Sequence, residues 1–271
     1  MKRLLLCLPA VLLAGCAAST QAKTDGLTIE KSYPLDYAQQ FTADECADGC
    51  TLITIAEDRY LVVPQGTAVP QGLDADITVL QQPIENIYLV STSAMDPILS
   101  IDGLDAVALS GTQAESWYLD AAKAAMQNGQ IAYAGKYSTP DYETILTADC
   151  GLAIENTMIY HTPEVKEQLE KLGVPVLVER SSYESGPLAR MEWVKLYGIL
   201  LGKTDEAERI FSDAEQRIAP LADKAPTGKT VAFFSITSNN LATVRKGGDY
   251  VAKMIEMAGG SYVFADLTDS G

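Results

Sequence analysis

Histidine is almost absent from this sequence, and its scarcity disfavours several kinds of chemistry. The chain of 271 residues has one histidine, His161, which directly precedes a predicted helix start and is interpreted as structural. A Ser–His–Asp hydrolase and a site for bare zinc or manganese are therefore both disfavoured. A phosphate-binding loop is missing as well, because Gly198 lies one residue too close to Gly202-Lys203-Thr204 for the G-x₄-GK[ST] spacing.

Basic residues are also in short supply. Lysine and arginine number 20 against 36 aspartates and glutamates, which gives a formal net charge of −16. Such a chain is not expected to bind nucleic acid or an anionic membrane surface. An anionic small molecule bound in a locally basic cleft remains compatible with this charge. With 47% hydrophobic residues, the chain can bury a substantial core.

Cysteines are few, and only three of the five lie beyond the N-terminal segment. Cys46 and Cys50 are separated by three residues. They can form a small disulfide in an oxidising environment, or they can remain two unreactive thiols. As a metal site the pair is weak, because no second cysteine pair or histidine cluster accompanies it.

Long apolar runs are missing, and the apolar segment Leu4–Leu13 is too short to cross a bilayer. It follows a short basic head and ends in Leu13-Ala14-Gly15 directly before Cys16, so residues 1–15 are predicted to be a signal peptide. Leu-Ala-Gly-Cys resembles the bacterial lipobox, in which the cysteine is lipidated and becomes the first mature residue. The alternative is an ordinary secretory signal with an incidental Cys16. Residues 16–26 are small and polar, as in a tether.

Strand and helix patterns then alternate along the chain. Residues 27–83 are β-rich and form an N-terminal extension, whereas residues 84–183 alternate strand and helix, which predicts a parallel α/β layer. The strand Ile87–Val90 leads into Ser91–Ser93, which we expect to form the floor of a ligand cleft. The carboxyl ends of parallel strands share one edge, and the residues expected at this rim are Ser91–Ser93, Ser110–Thr112, Gly135–Tyr137, Glu155–Asn156 and Glu179–Tyr183.

Capping signals locate the helices of this layer. A capping box at Thr112–Glu115 predicts that a helix starts there. Thr139-Pro140-Asp141 and Thr162-Pro163-Glu164 each predict a capped helix with proline at its first position. The start of the helix after Ser91–Ser93 is ambiguous. Ser93 can cap it, or the helix can begin one turn later at Asp96-Pro97.

The second half of the chain predicts two long helices followed by a new α/β unit. One helix starts at Pro187 and ends near Gly202, and the next runs from Thr204 towards Pro220. The pattern of a strand at Thr230–Ser235 and a helix at Tyr250–Ala258 indicates a second lobe. We expect that lobe to be incomplete at residue 271, since one strand, one helix and a partial strand cannot bury a sheet on both faces.

The order of these motifs carries a family resemblance. After the lipobox and the Ser/Thr turn come YSTPDYE (Tyr137–Glu143), LEKLGVPV (Leu169–Val176), a long helix and KMIEMAGG (Lys253–Gly260). This order resembles the solute-binding lipoproteins of ABC importers for iron–siderophores, haem and cobalamin. The resemblance implies two α/β parallel-sheet lobes joined by a long helix, with a β-rich N-terminal extension. The implied parts are a signal peptide at 1–15, a tether at 16–26, an N-terminal lobe at 27–203 (extension 27–83), a linking helix at 204–225 and the start of a C-terminal lobe at 226–271.

The resemblance also implies a function and its partners. The chain would be a lipid-anchored extracytoplasmic protein that captures a metal chelate or a corrinoid and delivers it to an ABC permease and its ATPase. It would need no cofactor, metal centre or catalytic residue of its own. The alternatives are a surface enzyme that uses the same cleft, with Glu143 or Glu155 as residues to test, and a gene fragment without independent function.

Specific residues follow from the resemblance and from their positions. Glu143 matches the place where the family often presents an acidic residue to the permease, whereas Ser261 after Gly259-Gly260 departs from the pattern expected in the second lobe. Arg190, near the start of its helix, is poorly placed for the helix dipole, so that a ligand, a carboxylate partner and a surface ion pair all remain open for it. The residues expected to contact ligand are Thr92, Ser93, Tyr137, Tyr183, Arg190, Asn239, Asn240 and Arg245.

Overall fold

The computed structural model describes residues 23–24, 26–222 and 225–267. The predicted leader and the lipobox cysteine Cys16 lie outside these residues. The strands, in chain order, are β1 (Lys23–Thr24), β2 (Leu27–Ser32), β3 (Thr42–Cys46), β4 (Thr51–Ile55), β5 (Asp58–Val63), β6 (Ile77–Gln81), β7 (Ile87–Leu89), β8 (Val107–Ser110), β9 (Ala132–Tyr133), β10 (Gly135–Lys136), β11 (Thr139–Pro140), β12 (Ala153–Asn156), β13 (Val176–Glu179), β14 (Thr230–Val231), β15 (Phe234–Ile236), β16 (Ala242–Val244) and β17 (Ser261–Tyr262).

Seven α-helices accompany these strands in the described parts of the chain. None of them is long and apolar enough to span a membrane. The helices are α1 (Met95–Ser100), α2 (Asp120–Gln127), α3 (Tyr142–Thr147), α4 (Pro163–Lys171), α5 (Pro187–Leu201), α6 (Thr204–Ala222) and α7 (Tyr250–Met257). Short 3₁₀ helices lie at Thr92–Ala94, Leu104–Ala106, Ala114–Ser116, Thr157–His161 and Ser181–Tyr183.

The N-terminal extension forms a six-stranded sheet in the order β1 to β6. Its strands pair antiparallel, except that β6 joins β5 in parallel. Strands β4 and β5 form a hairpin in which Ile53 lies opposite Tyr60. Alternation of side chains along these strands places Ile53 and Tyr60 in the main core and Leu52 and Leu61 in a smaller apolar cluster on the opposite face.

A second sheet, entirely parallel, has the order β13-β12-β7-β8-β9. The chain starts at the central strand β7, adds β8 and β9 on one side, and then returns to add β12 and β13 on the other. The predicted parallel α/β layer is therefore confirmed. The reversal of strand order between β7 and β12 makes a topological switch point, where open α/β sheets bind ligands at the carboxyl ends of the strands.

Three of the capping predictions need correction. The capping box at Thr112–Glu115 does not start a helix, because Ala114–Ser116 is a single 3₁₀ turn and α2 begins only at Asp120. The cause is tertiary: Trp117 is buried in the main core and its indole N–H donates to Ser110 Oγ at 3.3 Å, which holds the segment in an extended conformation.

The other two corrections concern prolines and hydroxyls. Asp141 alone caps α3, accepting the Thr144 N–H at 3.1 Å, while Pro140 lies in β11 rather than in the helix. Pro163 is the first residue of α4 as predicted, but the Thr162 side chain makes no capping bond. The predicted strand Thr230–Ser235 is interrupted, and its two halves belong to β14 and β15.

Helix α5 lies at the centre of the main core, and a loop of the extension is bound to it through a buried carboxylate. Glu192 of α5 is 0% exposed and accepts the backbone N–H groups of Asp36, Tyr37 and Ala38 at 2.9, 2.8 and 2.7 Å. The ammonium of Lys195 lies 3.2 Å from the same carboxylate. The carboxylate thus satisfies three consecutive amides and a cation that the fold removes from water.

A second carboxylate continues this arrangement along the loop. Glu184 accepts the backbone N–H groups of Gln39 and Gln40 at 2.9–3.1 Å and the indole N–H of Trp193 at 3.0 Å. Five consecutive amides of the loop 36–40 are therefore held by two acidic side chains. The Tyr60 hydroxyl also donates to the carbonyl of Val176 in β13 at 2.9 Å. The extension is consequently an integral part of the first lobe.

The two cysteines of the extension are free thiols in this structure. Cys46 and Cys50 are both buried and free. Burial raises the pKa of the Cys46 thiol to about 11, so its reactive thiolate is scarce at neutral pH. Of the two alternatives drawn from their spacing, the structure supports two unreactive thiols.

Candidate functional site

The switch point between β7 and β12 organises a polar rim on the parallel sheet. Ser91–Ser93 follow β7, Thr157 follows β12, and Arg180 to Tyr183 follow β13, which is the neighbour of β12. The sequence pattern therefore identified the correct edge of the sheet. The strand order, which places β7 and β12 side by side, comes only from the fold.

The serines of the rim donate their protons inward, to a buried acid. Ser91 Oγ and Ser93 Oγ donate to Glu179 Oε2 at 3.0 and 2.7 Å, and the Ser181 N–H donates to Glu179 Oε1 at 2.8 Å. Glu179 is only 2% exposed. The protons of both hydroxyls are therefore directed to Glu179, whereas their lone pairs can still accept hydrogen bonds from a ligand.

The start of α1 lies between the two alternatives left open by the sequence. Thr92–Ala94 form a 3₁₀ turn and Met95 begins the helix, so neither Ser93 nor Asp96 caps it. Ser93 instead bonds Glu179, which is why its hydroxyl is unavailable for a cap. Thr92 is exposed at this turn and remains a predicted ligand contact.

Tyr183, Thr157 and Arg180 form a ridge at the end of the rim near β13. The Tyr183 hydroxyl lies 3.4 Å from Thr157 Oγ1, and the Arg180 guanidinium lies 4.8 Å from the centroid of the Tyr183 ring. Tyr183 was predicted as a ligand residue and is 56% exposed here. The sequence analysis places Arg180 at the rim within Glu179–Tyr183 but does not name it as a ligand contact, although a cation directly after a strand end in an acid-rich chain is a usable signal.

A second buried acid, Glu155, lies one strand position before the rim. It is 0% exposed, neither of its carboxylate oxygens has a hydrogen-bond partner among the residues that the structure describes, and burial raises its pKa to about 8. Alternation along β12 turns it to the same face as Ala153, towards the apolar cluster that contains Tyr88 and Val178. Glu155 therefore lies beneath the rim, out of reach of solvent.

Tyr137 and Glu143 lie towards the opposite end of the rim, after the edge strand β9. Tyr137 is half-buried and packs against the apolar cluster beneath the sheet. Glu143 is exposed in the first turn of α3 and lines a shallow cavity of about 410 Å³ beside β9. Both residues are thus separated from the switch point by β8 and β9.

The predicted residues of the second unit are exposed, and one of them has a local partner. Asn239 and Asn240 lie in the turn between β15 and β16, where Asn240 adopts a positive φ of 59°. Arg245 pairs with Asp249 at 3.5 Å. Within the described residues, no hydrogen bond or ion pair joins these three side chains to the rim.

Arg190 makes the contact between the first lobe and helix α7. Its guanidinium lies 4.1 Å from the centroid of the Tyr250 ring, an attractive cation–π geometry. The sequence left a ligand, a carboxylate partner and a surface ion pair open for Arg190. The structure instead gives it an aromatic partner, Tyr250. Among the described residues there is also no group of three or more His, Cys, Asp or Glu side chains that could hold a metal ion.

The family of this chain follows from comparison with known proteins. The family described as periplasmic binding protein matches residues 89–271. The chain belongs to this family. The match begins in β7 and includes the whole polar rim, whereas the N-terminal extension precedes it. Periplasmic binding proteins bind small solutes and work with ABC transporter permeases outside the cytoplasm, and they are not enzymes as a family.

The chain is also similar to a curated lipoprotein. An uncharacterised lipoprotein of Methanocaldococcus jannaschii is 24% identical over 229 residues, which are 79% of this chain and 54% of the relative. The chain thus spans about half the length of the curated relative that it matches.

Solved structures share the fold at low sequence identity. The periplasmic haem-binding protein HutB of Vibrio cholerae has a TM-score of 0.55 and 17% identity, with 68% of each chain covered. A possible iron-binding periplasmic protein of Staphylococcus epidermidis has a TM-score of 0.52 and 14% identity over 67% of this chain and 68% of that one. The molybdate-binding protein MolA of Haemophilus influenzae has a TM-score of 0.52 and 12% identity over 69% and 63%. These periplasmic proteins establish the architecture.

Proposed function

We propose that this periplasmic binding protein is the substrate-binding component of an ABC importer, and that it captures a metal chelate, such as an iron–siderophore or haem, or a corrinoid. The observation that carries the proposal is the polar rim at the switch point of a parallel sheet, within the segment matched by the family. Binding would be non-covalent, with ligand between the rim and the second lobe. Thr92, Ser93, Tyr137, Tyr183, Arg190, Asn239, Asn240 and Arg245 remain the proposed ligand contacts.

A binding panel tests this function. The purified chain is titrated by calorimetry with haemin, cyanocobalamin, ferric citrate and a neutral ferric trihydroxamate. We expect saturable one-to-one binding of at least one compound, weakened by Thr157→Ala or Tyr183→Ala at the rim. Absence of saturable binding to all four compounds would count against the proposal.

Delivery to the permease is proposed to involve Glu143, because its carboxylate is exposed at the start of α3. Cells that carry Glu143→Ala in place of the parent chain should accumulate less radiolabelled ligand, since one docking contact to the permease and its ATPase is lost. The purified variant should bind ligand with unchanged affinity. Glu164→Ala, a change in the first turn of α4, is the control. Uptake equal to that of the parent would refute the docking role.

Membrane anchoring is proposed to occur through lipidated Cys16 after removal of residues 1–15. Cys16→Ala should abolish incorporation of radiolabelled palmitate and move the protein from the membrane fraction to the soluble extracytoplasmic fraction. Cys46→Ala is the control, because that thiol is buried in the extension. Retention of label by Cys16→Ala would show that the lipobox interpretation is wrong.

A further inference from the structure

Arg180 is one of three arginines, together with Arg190 and Arg217, that make no salt bridge within the described residues. With 36 acidic residues against 20 basic ones, an arginine is readily paired. Three others make ion pairs: Arg59 with Asp74 at 2.8 Å, Arg209 with Asp213 at 3.1 Å and Arg245 with Asp249 at 3.5 Å. Within the ranges that the structure describes, Arg180 makes no salt bridge, although it directly follows the buried Glu179.

The guanidinium of Arg180 is nevertheless held in place. Its plane is supported by the ring of Tyr183 at 4.8 Å, and its Nε–H donates to Gln40 Oε1 at 3.3 Å. The two terminal nitrogens make no hydrogen bond to the described residues. They constitute the fork with which arginine binds a carboxylate through two parallel hydrogen bonds. The side chain is half-buried and therefore already restricted in its conformations. Part of the conformational entropy that binding a ligand would otherwise cost is thus already lost in the free protein.

Arg180 lies at the rim because of its position in the sheet. It is the first residue after β13, and the aromatic ring that supports it reaches Thr157 at the end of β12. Since β12 borders the switch point, Arg180 lies beside the place where α/β sheets of this kind bind ligands.

We propose that Arg180 binds a carboxylate of the ligand, so that the substrate is an anionic, carboxylate-bearing chelate. This inference rests on the proposed function and narrows its substrate class. It also reconciles the strongly negative chain with an anionic ligand, because one unpaired cation sits where the ligand is expected. The guanidinium supplies both charge and bidentate geometry, and the serines of the rim supply neither.

The N-terminal extension takes part in this site through Gln40. The Gln40 side chain accepts from Arg180, and its backbone N–H is held by Glu184 at 2.9 Å. The loop 36–40 therefore presents Gln40 as a positioning residue for the arginine. A segment that precedes the family match thus contributes to the orientation of a ligand-binding side chain.

The test compares anionic and neutral probes on matched variants of the whole chain. Ferric citrate provides carboxylates, whereas a neutral ferric trihydroxamate and cyanocobalamin do not. For Arg180→Gln we expect about tenfold or greater loss of ferric citrate affinity, since a charge-assisted bidentate contact is removed. Arg180→Lys should lose less ferric citrate affinity than Arg180→Gln. Gln40→Ala should also weaken ferric citrate binding relative to the neutral probes, but by a smaller factor than Arg180→Gln. The control Arg217→Gln removes the same charge at an exposed position on α6 and should change nothing.

The outcomes separate this inference from the proposed function. A parent chain that binds only the neutral probes, or an Arg180→Gln variant that retains ferric citrate affinity, overturns the inference and leaves the function standing. A parent chain that binds none of these three probes, and does not bind haemin either, overturns both. Equal loss of neutral and anionic probes in Arg180→Gln, with an unchanged melting temperature, would assign Arg180 a packing role and also refute the inference.

Discussion

Glu192→Ala is expected to lower the free energy of unfolding by about 3–5 kcal/mol, because three backbone N–H groups lose their common acceptor. The substitution also removes one of two carboxylates beside the buried Lys195 ammonium, which keeps Glu208 at 3.3 Å and the Pro34 carbonyl at 3.1 Å. Each buried donor without an acceptor adds a desolvation cost of about 1–3 kcal/mol. Part of this cost is recovered if the loop opens to water, which limits the total.

Urea unfolding of parent and variant at pH 7 measures the change. Glu206→Ala is the matched control, because its exposed ion pair with Arg209 is expected to contribute less than about 1 kcal/mol. Amide hydrogen exchange gives an independent measurement: the N–H groups of residues 36–38 should lose protection in Glu192→Ala and keep it in the control. Equal stability losses in the two variants would mean that the buried carboxylate does not hold the extension to α5.

The second large effect is a pH dependence that originates from Glu155. Its folded-state pKa is raised by burial from 4.5 to about 8, so the folded protein retains a proton that the unfolded chain releases. Between these two values the unfolded state binds fewer protons, and the free energy of unfolding falls by about 1.4 kcal/mol per pH unit from this group. The contribution of Glu155 is therefore fully favourable below pH 4.5 and is lost as the pH rises towards 8.

Glu155→Gln should remove this dependence. The ionisable groups that act on this carboxyl in the structure are Tyr88 in β7 and Tyr142 in α3, and each has a pKa raised by burial above its ordinary value of 10.0, so both stay neutral over the range tested. The buried amide can cost stability at every pH, so the informative quantity is the change in the difference between variant and parent.

Chemical denaturation at pH 5, 6.5 and 8 provides that difference. The stability of Glu155→Gln relative to the parent should rise by a few kcal/mol across the series, whereas the exposed Glu143→Gln should show no trend. If the difference for Glu155→Gln stays constant from pH 5 to pH 8, the carboxyl is not retained in its neutral form by the fold.

Parts of this structure could be predicted because their signals are local. Apolar β-branched segments such as Val174–Val178 indicate strands covered on both faces, and β13 begins within that segment. Gly202 ends α5 with a positive φ of 66°, as a helix-terminating glycine does. These signals require only neighbours in sequence, so they located the rim before any tertiary contact was known.

Local signals failed where a distant residue competed with them. The capping box at Thr112–Glu115 gives way because Trp117 is buried against the core and donates to Ser110. Ser93 was one of two possible caps for α1, but its hydroxyl donates to Glu179, which is distant in sequence. In both cases a hydrogen bond to a buried side chain stabilises a conformation that differs from the helix start favoured by the local sequence.

By itself, the sequence determined the alternation of strands and helices, the rim of the parallel sheet and the resemblance to the solute-binding family, because these depend on periodicity and the order of motifs. Only the tertiary structure decided that β7 lies next to β12, that Glu184 and Glu192 bind the loop of the extension, and that Arg180 has no acidic partner in the part of the chain that is described. Strand order and the pairing of buried charges depend on contacts between residues far apart in the chain, for which spacing along the sequence carries no information.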